Sequence, residues 1–150
     1  LVIFEGLKDG LIYQEGKPIY TIAARAGQWL EAKDDFELEG DISVFREGEV
    51  VFQGQKLQWD GRTEVLTVPV SSQLRIDGLN ATSDKLQAHV RTDRLYLQGD
   101  VAMWDDLHTI RAEQIIYDRQ EEELRLIGPS EIVFRLEAPA KEKQPEGDGR

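Results

Sequence analysis

A period of 29 or 30 residues runs through most of the chain. Leu38, Val68, Leu97 and Leu126 are separated by 30, 29 and 29 residues. So are Ala24, Gly54, Ser83 and Ala112, and so are Trp29, Trp59, Ala88 and Tyr117. Three sets of positions in one register predict four tandem units of about 29 residues. No single segment of such a chain can bury its apolar face alone. Each unit must stack on its neighbours.

Within a unit the hydrophobic period is two. Phe36, Leu38, Ile42 and Val44 alternate with Glu37, Glu39, Asp41 and Ser43 around Gly40. Leu95, Leu97, Val101 and Met103 do the same around Gly99. Successive side chains of a strand point to opposite faces, so this pattern is a half-buried strand. Helical spacing is weak throughout, and Asp118–Glu123 is the one segment that suggests a helical turn. Gly-containing turn signals punctuate the runs at Lys8-Asp9-Gly10, Gln14–Lys17, Arg46–Gly48, Asp60-Gly61 and Asp77-Gly78. The fold class is therefore all-β: a sandwich, barrel or solenoid.

Each unit has two arms. In the first, Ile22-x-Ala24 is followed by Gly27-x-Trp29, and the apolar phase slips by one residue between them. A one-residue slip would turn the core face outward unless the backbone bulges. Bulges or sharp bends are expected at Ala24, Gly54, Ser83 and Ala112. The second arm is expected to bend at Gly40, Gly99 and Gly128; Val70 after Pro69 is the odd copy. Four units give eight long bent strands, or about sixteen short ones counted either side of the bends.

The 150 residues carry 18 Lys and Arg against 29 Asp and Glu, a formal charge of −11. That balance opposes nucleic-acid binding, which needs a basic footprint, and docking on anionic membrane surfaces. Hydrophobic residues at 40% are enough for a core. With no Cys, disulfides and thiol catalysis are excluded. His89 and His108 are isolated, so neither a metal site nor acid–base catalysis is expected. Asp34/Asp35 and Asp105/Asp106 lie at turns, and Ser71-Ser72 lacks a nucleophile-elbow context. No phosphate loop or dinucleotide fingerprint occurs. No cofactor, metal or enzymatic activity is expected.

One domain is expected over residues 1–137, followed by a disordered charged tail at 138–150, where bulky apolar residues almost disappear. The chain starts with Leu1. The expectation is a longer natural protein, with a signal peptide or an anchoring helix upstream.

The segments Leu95–Val101 (LYLQGDV), Phe36–Ile42 (FELEGDI), Thr109–Gln114 (TIRAEQ) and Leu124–Gly128 (LRLIG) resemble the OstA-like repeat of the lipopolysaccharide-transport proteins LptC and LptA. The opening, Gly6–Gly10 through Tyr20–Ala24, is similar to the start of an LptC periplasmic domain, which favours LptC. The fourth unit resembles LptA as much. The likeness spans about residues 5–136.

This resemblance implies a V-shaped β-jellyroll with an apolar interior in the periplasm, anchored or not to the inner membrane by an upstream helix. It implies acyl chains of lipopolysaccharide held inside. It also implies transfer from an inner-membrane ABC transporter towards the outer membrane, and edge-to-edge strand addition to other OstA-like jellyrolls. The alternating stripe then becomes a candidate groove: Phe36, Leu38, Ile42, Val44, Leu66, Val68, Leu95, Leu97, Val101, Met103, Leu124, Leu126, Ile132 and Phe134, with Trp29, Trp59 and Tyr117, which share one repeat position, either structural or at its mouth. Tyr20 and Ile22 near one end, and Ile132 and Phe134 near the other, are candidate edge contacts. Arg25, Lys56, Lys85 and Arg111 are either rim cations for lipid phosphates or solvated charge. A closed core without lipid, in a structural or adhesin-like solenoid, is the alternative for the same stripe.

Overall fold

A computed structural model describes residues 1–135; the tail expected at 138–150 lies outside the described residues. All regular structure described is β. The strands are β1 (Val2–Gln14), β2 (Lys17–Leu30), β3 (Asp35–Arg46), β4 (Glu49–Asp60), β5 (Val65–Val68), β6 (Ser72–Ile76), β7 (Leu79–Ser83), β8 (Lys85–His89), β9 (Arg94–Trp104), β10 (His108–Asp118) and β11 (Glu123–Phe134). They form one antiparallel sheet. Asp118–Glu123 holds no helix: a four-residue turn at 119–122 joins β10 to β11.

The sheet is creased along one line. Register shifts fall between Leu7 and Gly10, Ala23 and Ala26, Glu39 and Ile42, and Ala112 and Gln114. On one side of the crease lie residues 2–7, 26–39, 56–68, 85–98 and 114–127; on the other lie 10–23, 42–54, 72–83, 101–112 and 130–134. These are two leaves. Each repeat contributes one hairpin to each leaf, which is what a 29-residue period encodes. Buried residues of both leaves, Leu38, Leu57 and Leu97 of one and Ile22, Phe52 and Met103 of the other, belong to one core cluster.

The four expected first-arm bends coincide with breaks in pairing, and the extra residue sits opposite them, at the second-arm glycines also expected to bend. Ala112 to Gln114 spans two residues while the facing Val101 to Gln98 spans three, so the bulge is in β9 at Gly99-Asp100. The same holds at Gly40-Asp41 of β3. Both residues of each pair are left-handed, with φ of 83° and 46° at Gly40-Asp41 and 84° and 47° at Gly99-Asp100. Gly enters this region freely and Asp tolerates it.

Val70 occupies the equivalent position in the second unit. A β-branched residue cannot take that conformation cheaply, and the arm breaks into β5 and β6 instead. Its partner breaks at Asp84 into β7 and β8. Elsewhere the bulges keep pairing continuous. That is why eleven strands form, rather than sixteen pieces.

Candidate functional site

Cross-strand registration assembles the repeat positions into rows. One runs Trp29, Phe36, Trp59, Leu66, Ala88, Leu95, Tyr117, Leu124 across eight strands of one leaf. Another runs Val68, Leu86, Leu97, Ile115, Leu126. In the other leaf Ile22, Val44, Phe52, Leu74, Ala81, Met103, Ile110 and Ile132 form a third. Opposed side chains within about 5.5 Å in the backbone make such rows continuous apolar strips.

The candidate residues are buried in the middle of the sheet and more exposed towards both of its ends. Of the candidate groove residues, Leu38, Ile42, Val68, Leu95, Leu97, Val101, Met103 and Tyr117 are buried. Phe36, Val44, Trp59, Leu66, Leu124 and Leu126 are half-buried. At the ends, Trp29 is 41% exposed, Ile132 48% and Phe134 62%. The strips therefore continue into apolar surface at both edges. The candidate groove leaves out Leu57, Leu86 and Ile115, apolar repeat positions that are as deeply buried as the residues in it. They are first-arm positions, two residues before Trp59, Ala88 and Tyr117, and share their phase.

The two edge strands are β1 and β11. This corrects one expectation: Tyr20 and Ile22 are not at an edge. β1 pairs along β2 and covers them, and Ile22 is buried. The apolar residues exposed there are Val2, Ile3, Leu11, Ile12 and Tyr13. Lys8-Asp9-Gly10 reads as a turn but is a bulge inside β1. Ile132 and Phe134 do lie on an edge strand.

The charged residues do structural work. Arg25 lies 3.6 Å from Asp41 on the exposed side of the crease, where no acyl chain in the interior would meet it. Asp105 accepts the backbone N–H groups of Leu107 (2.8 Å) and His108 (2.7 Å), and these hold its carboxyl below the usual range. Asp35 accepts Gly61 N–H at 2.9 Å, and the Trp29 indole donates to Asp34 at 3.3 Å. His89 packs at a tilt against Tyr96, with ring centroids 4.6 Å apart, and His108 meets Phe134 edge-on at 5.3 Å. Among the described residues no group of three or more acids and histidines is placed to hold a metal ion. A depression of about 620 Å³ at the crease is lined by polar side chains, including Gln53, Gln55, Gln73, Thr82 and Asp84, and does not suit acyl chains.

One polar cluster joins the leaves. The Tyr117 hydroxyl donates to Asp77 at 2.7 Å, and Arg119 Nε donates to the same carboxylate at 3.1 Å. Arg119 also donates to Asp93 at 2.9 Å. The Arg119 bond lowers the Asp77 pKa, while burial, and then Asp77, push the Tyr117 phenol up to about 12. Beside it Asp118 is held low by the backbone N–H of Glu121 and then by Arg94, 3.1 Å away.

The fold is similar to that of LptH from Pseudomonas aeruginosa, described as the LptA-homologous periplasmic component of the conserved lipopolysaccharide transport device. The TM-score is 0.64 at 16% identity, covering 77% of this chain and 94% of that one. No curated protein sequence matches the chain. A family model described as lipopolysaccharide-assembly, LptC-related, matches residues 9–106. With about two thirds of its length inside that match, the chain belongs to the LptC-related family of lipopolysaccharide-assembly proteins.

Proposed function

We propose that the chain is a non-catalytic bridge component that carries the acyl chains of lipopolysaccharide between its two leaves. Family membership supports a role in lipopolysaccharide assembly without enzymatic chemistry, in the periplasm. The observation that carries the finer reading is the set of apolar rows that run across the sheet and emerge at both edges. Burial of each methylene contributes about 0.8 kcal/mol, so acyl chains need no polar anchor. With −11 on the chain, encounter with an anionic lipid relies on apolar contact rather than on charge.

Under this reading neighbours add by strand pairing at β1 and β11, whose outer backbone groups have no partner strand among the described residues. An ABC transporter of the inner membrane supplies the directional work. An LptC-type chain is tethered there by a helix preceding Leu1; an LptA-type chain carries a cleaved signal instead. Photo-crosslinking from Phe36, Leu97, Leu126 and Phe134 tests the cargo. Adducts with lipopolysaccharide are expected at these inward positions and not at Gln53 or Gln73. No adduct from any inward position would leave the lipid-free structural module as the better reading.

A further inference from the structure

Hairpin β6–β7 differs from every other hairpin of the sheet. Both of its roots are broken at the crease, one at 69–71 and the other at Asp84. Its pairing to the rest of the sheet is short: Phe52–Gly54 of β4 on one side and Ala102–Trp104 of β9 on the other. By contrast β9 and β10 pair along nearly their whole length. Few backbone pairs and two broken roots give the hairpin low local stability. One bond remains at the second root, from Asp84 N–H to Gly99 O at 3.0 Å.

The tip of the hairpin reaches the opposite leaf. Ile76 and Leu79, either side of the tip, pack against the core cluster. Asp77 at the tip binds Tyr117 and Arg119, which lie at the far end of β10 in the opposite leaf. Among the described residues these are the side-chain hydrogen bonds that span the two leaves. Arg119 is itself anchored to its own leaf, by Asp93 and by its backbone N–H to Asp93 O at 3.1 Å. The holding side is therefore fixed and the hairpin side is weakly attached.

The geometry points to a latch: Asp77 holds hairpin β6–β7 closed over the middle of the interior, and its release from Tyr117 and Arg119 opens the mouth to lipid acyl chains. The inference rests on the lipid-carrying reading for what enters, but not for the latch itself. It accounts for an interior that is packed in the middle while its apolar rows are exposed towards the ends. It also gives a purpose to the break at Pro69-Val70, where the other units carry Gly.

Amide hydrogen exchange on the lipid-free protein tests the latch. In Asp77→Asn, and in Tyr117→Phe with Arg119→Gln, amides of 74–81 are expected to exchange about tenfold faster or more. Amides of β10 residues 110–116 should stay unchanged. Equal exchange of the hairpin in all variants would overturn the proposal. A second experiment uses the absence of Cys. Asp77→Cys with Arg119→Cys, joined by a short bifunctional maleimide, is expected to take up lipopolysaccharide from micelles at least about tenfold more slowly than the same unjoined variant. Equal uptake by the joined and unjoined forms would overturn the gating role. If no form takes up lipid, wild type included, the lipid-carrying reading and with it the gate fail; the latch then stands or falls on hydrogen exchange.

Discussion

Tyr117 and Asp77, forty positions apart, are joined by a 2.7 Å hydrogen bond between the tip of one leaf and the mouth of the other. Tyr117 occupies the repeat position held by Trp29 and Trp59, so its ring fills the same apolar row. At this position the Trp29 indole donates to Asp34 of the adjoining turn, whereas the Tyr117 hydroxyl reaches a carboxylate of the opposite leaf.

The pair predicts two limbs in stability against pH. Asp77 has a folded pKa below its ordinary 3.8, so its contribution is complete above that value and is lost as pH falls through the lower folded value. Tyr117 is raised from 10.0 to about 12, so its contribution is complete below 10 and is lost as pH rises towards 12. Urea midpoints of Asp77→Asn should therefore approach those of wild type as pH drops below 3.8. Those of Tyr117→Phe should approach wild type in the alkaline limb. A constant offset across the whole range would contradict the assignment.

Gly99 is the second place where a small change should be costly. Its φ is +84°, and an added Cβ would lie 2.6 Å from an Asp84 carboxylate oxygen. Gly99→Ala is expected to lose about 1–3 kcal/mol from the backbone conformation and the clash together. Adding Asp84→Ala should relieve the carboxylate contact but keep its Cβ, 2.8 Å from the added one, so only part of the loss is recovered; the pair is non-additive and readable by denaturant unfolding.

Truncations inside and at the edge should separate folding from assembly. Met103 has no exposed surface, and Met103→Ala should cost about 2–5 kcal/mol. Phe134 is 62% exposed, and Phe134→Ala should cost under about 1 kcal/mol. The readout is the urea midpoint at constant slope. A large loss for Phe134→Ala would mean that the edge belongs to the core.

Much of this architecture was written in the chain. Burial on one face of a strand imposes alternation, and stacking of like units imposes a period. Leu38, Leu97 and Met103 therefore announced the interior before any coordinates. The bends were visible as phase slips at Ala24 and Ala112. The second-arm bends were visible too, at Gly40, Gly99 and Gly128, which carry the extra residue; what did not show is that one bulge in the facing strand accounts for both the glycine bend and the phase slip opposite it. A bulge is a property of a pair of strands, and one strand's pattern shows only half of it.

β1 was missed for a related reason. It precedes the first full repeat, so nothing set its register, and the Lys8-Asp9-Gly10 bulge looked like a turn. That error moved the edge one strand inward, to Tyr20 and Ile22. The odd Pro69-Val70 was noticed as a departure, but its result, a hairpin with two broken roots, depends on how neighbouring strands pair around the gap.

By itself the sequence determined an all-β chain of four units, the face each arm buries and a family likeness that the comparison later bore out. Those follow from local periodicity, which every strand carries in its own residues. Only the tertiary structure decided which strands are edges, how full the interior is and which residue closes it. Asp77 and Tyr117 meet because the creased sheet brings two hairpin ends together, and contact across forty residues leaves no mark in the spacing of either one.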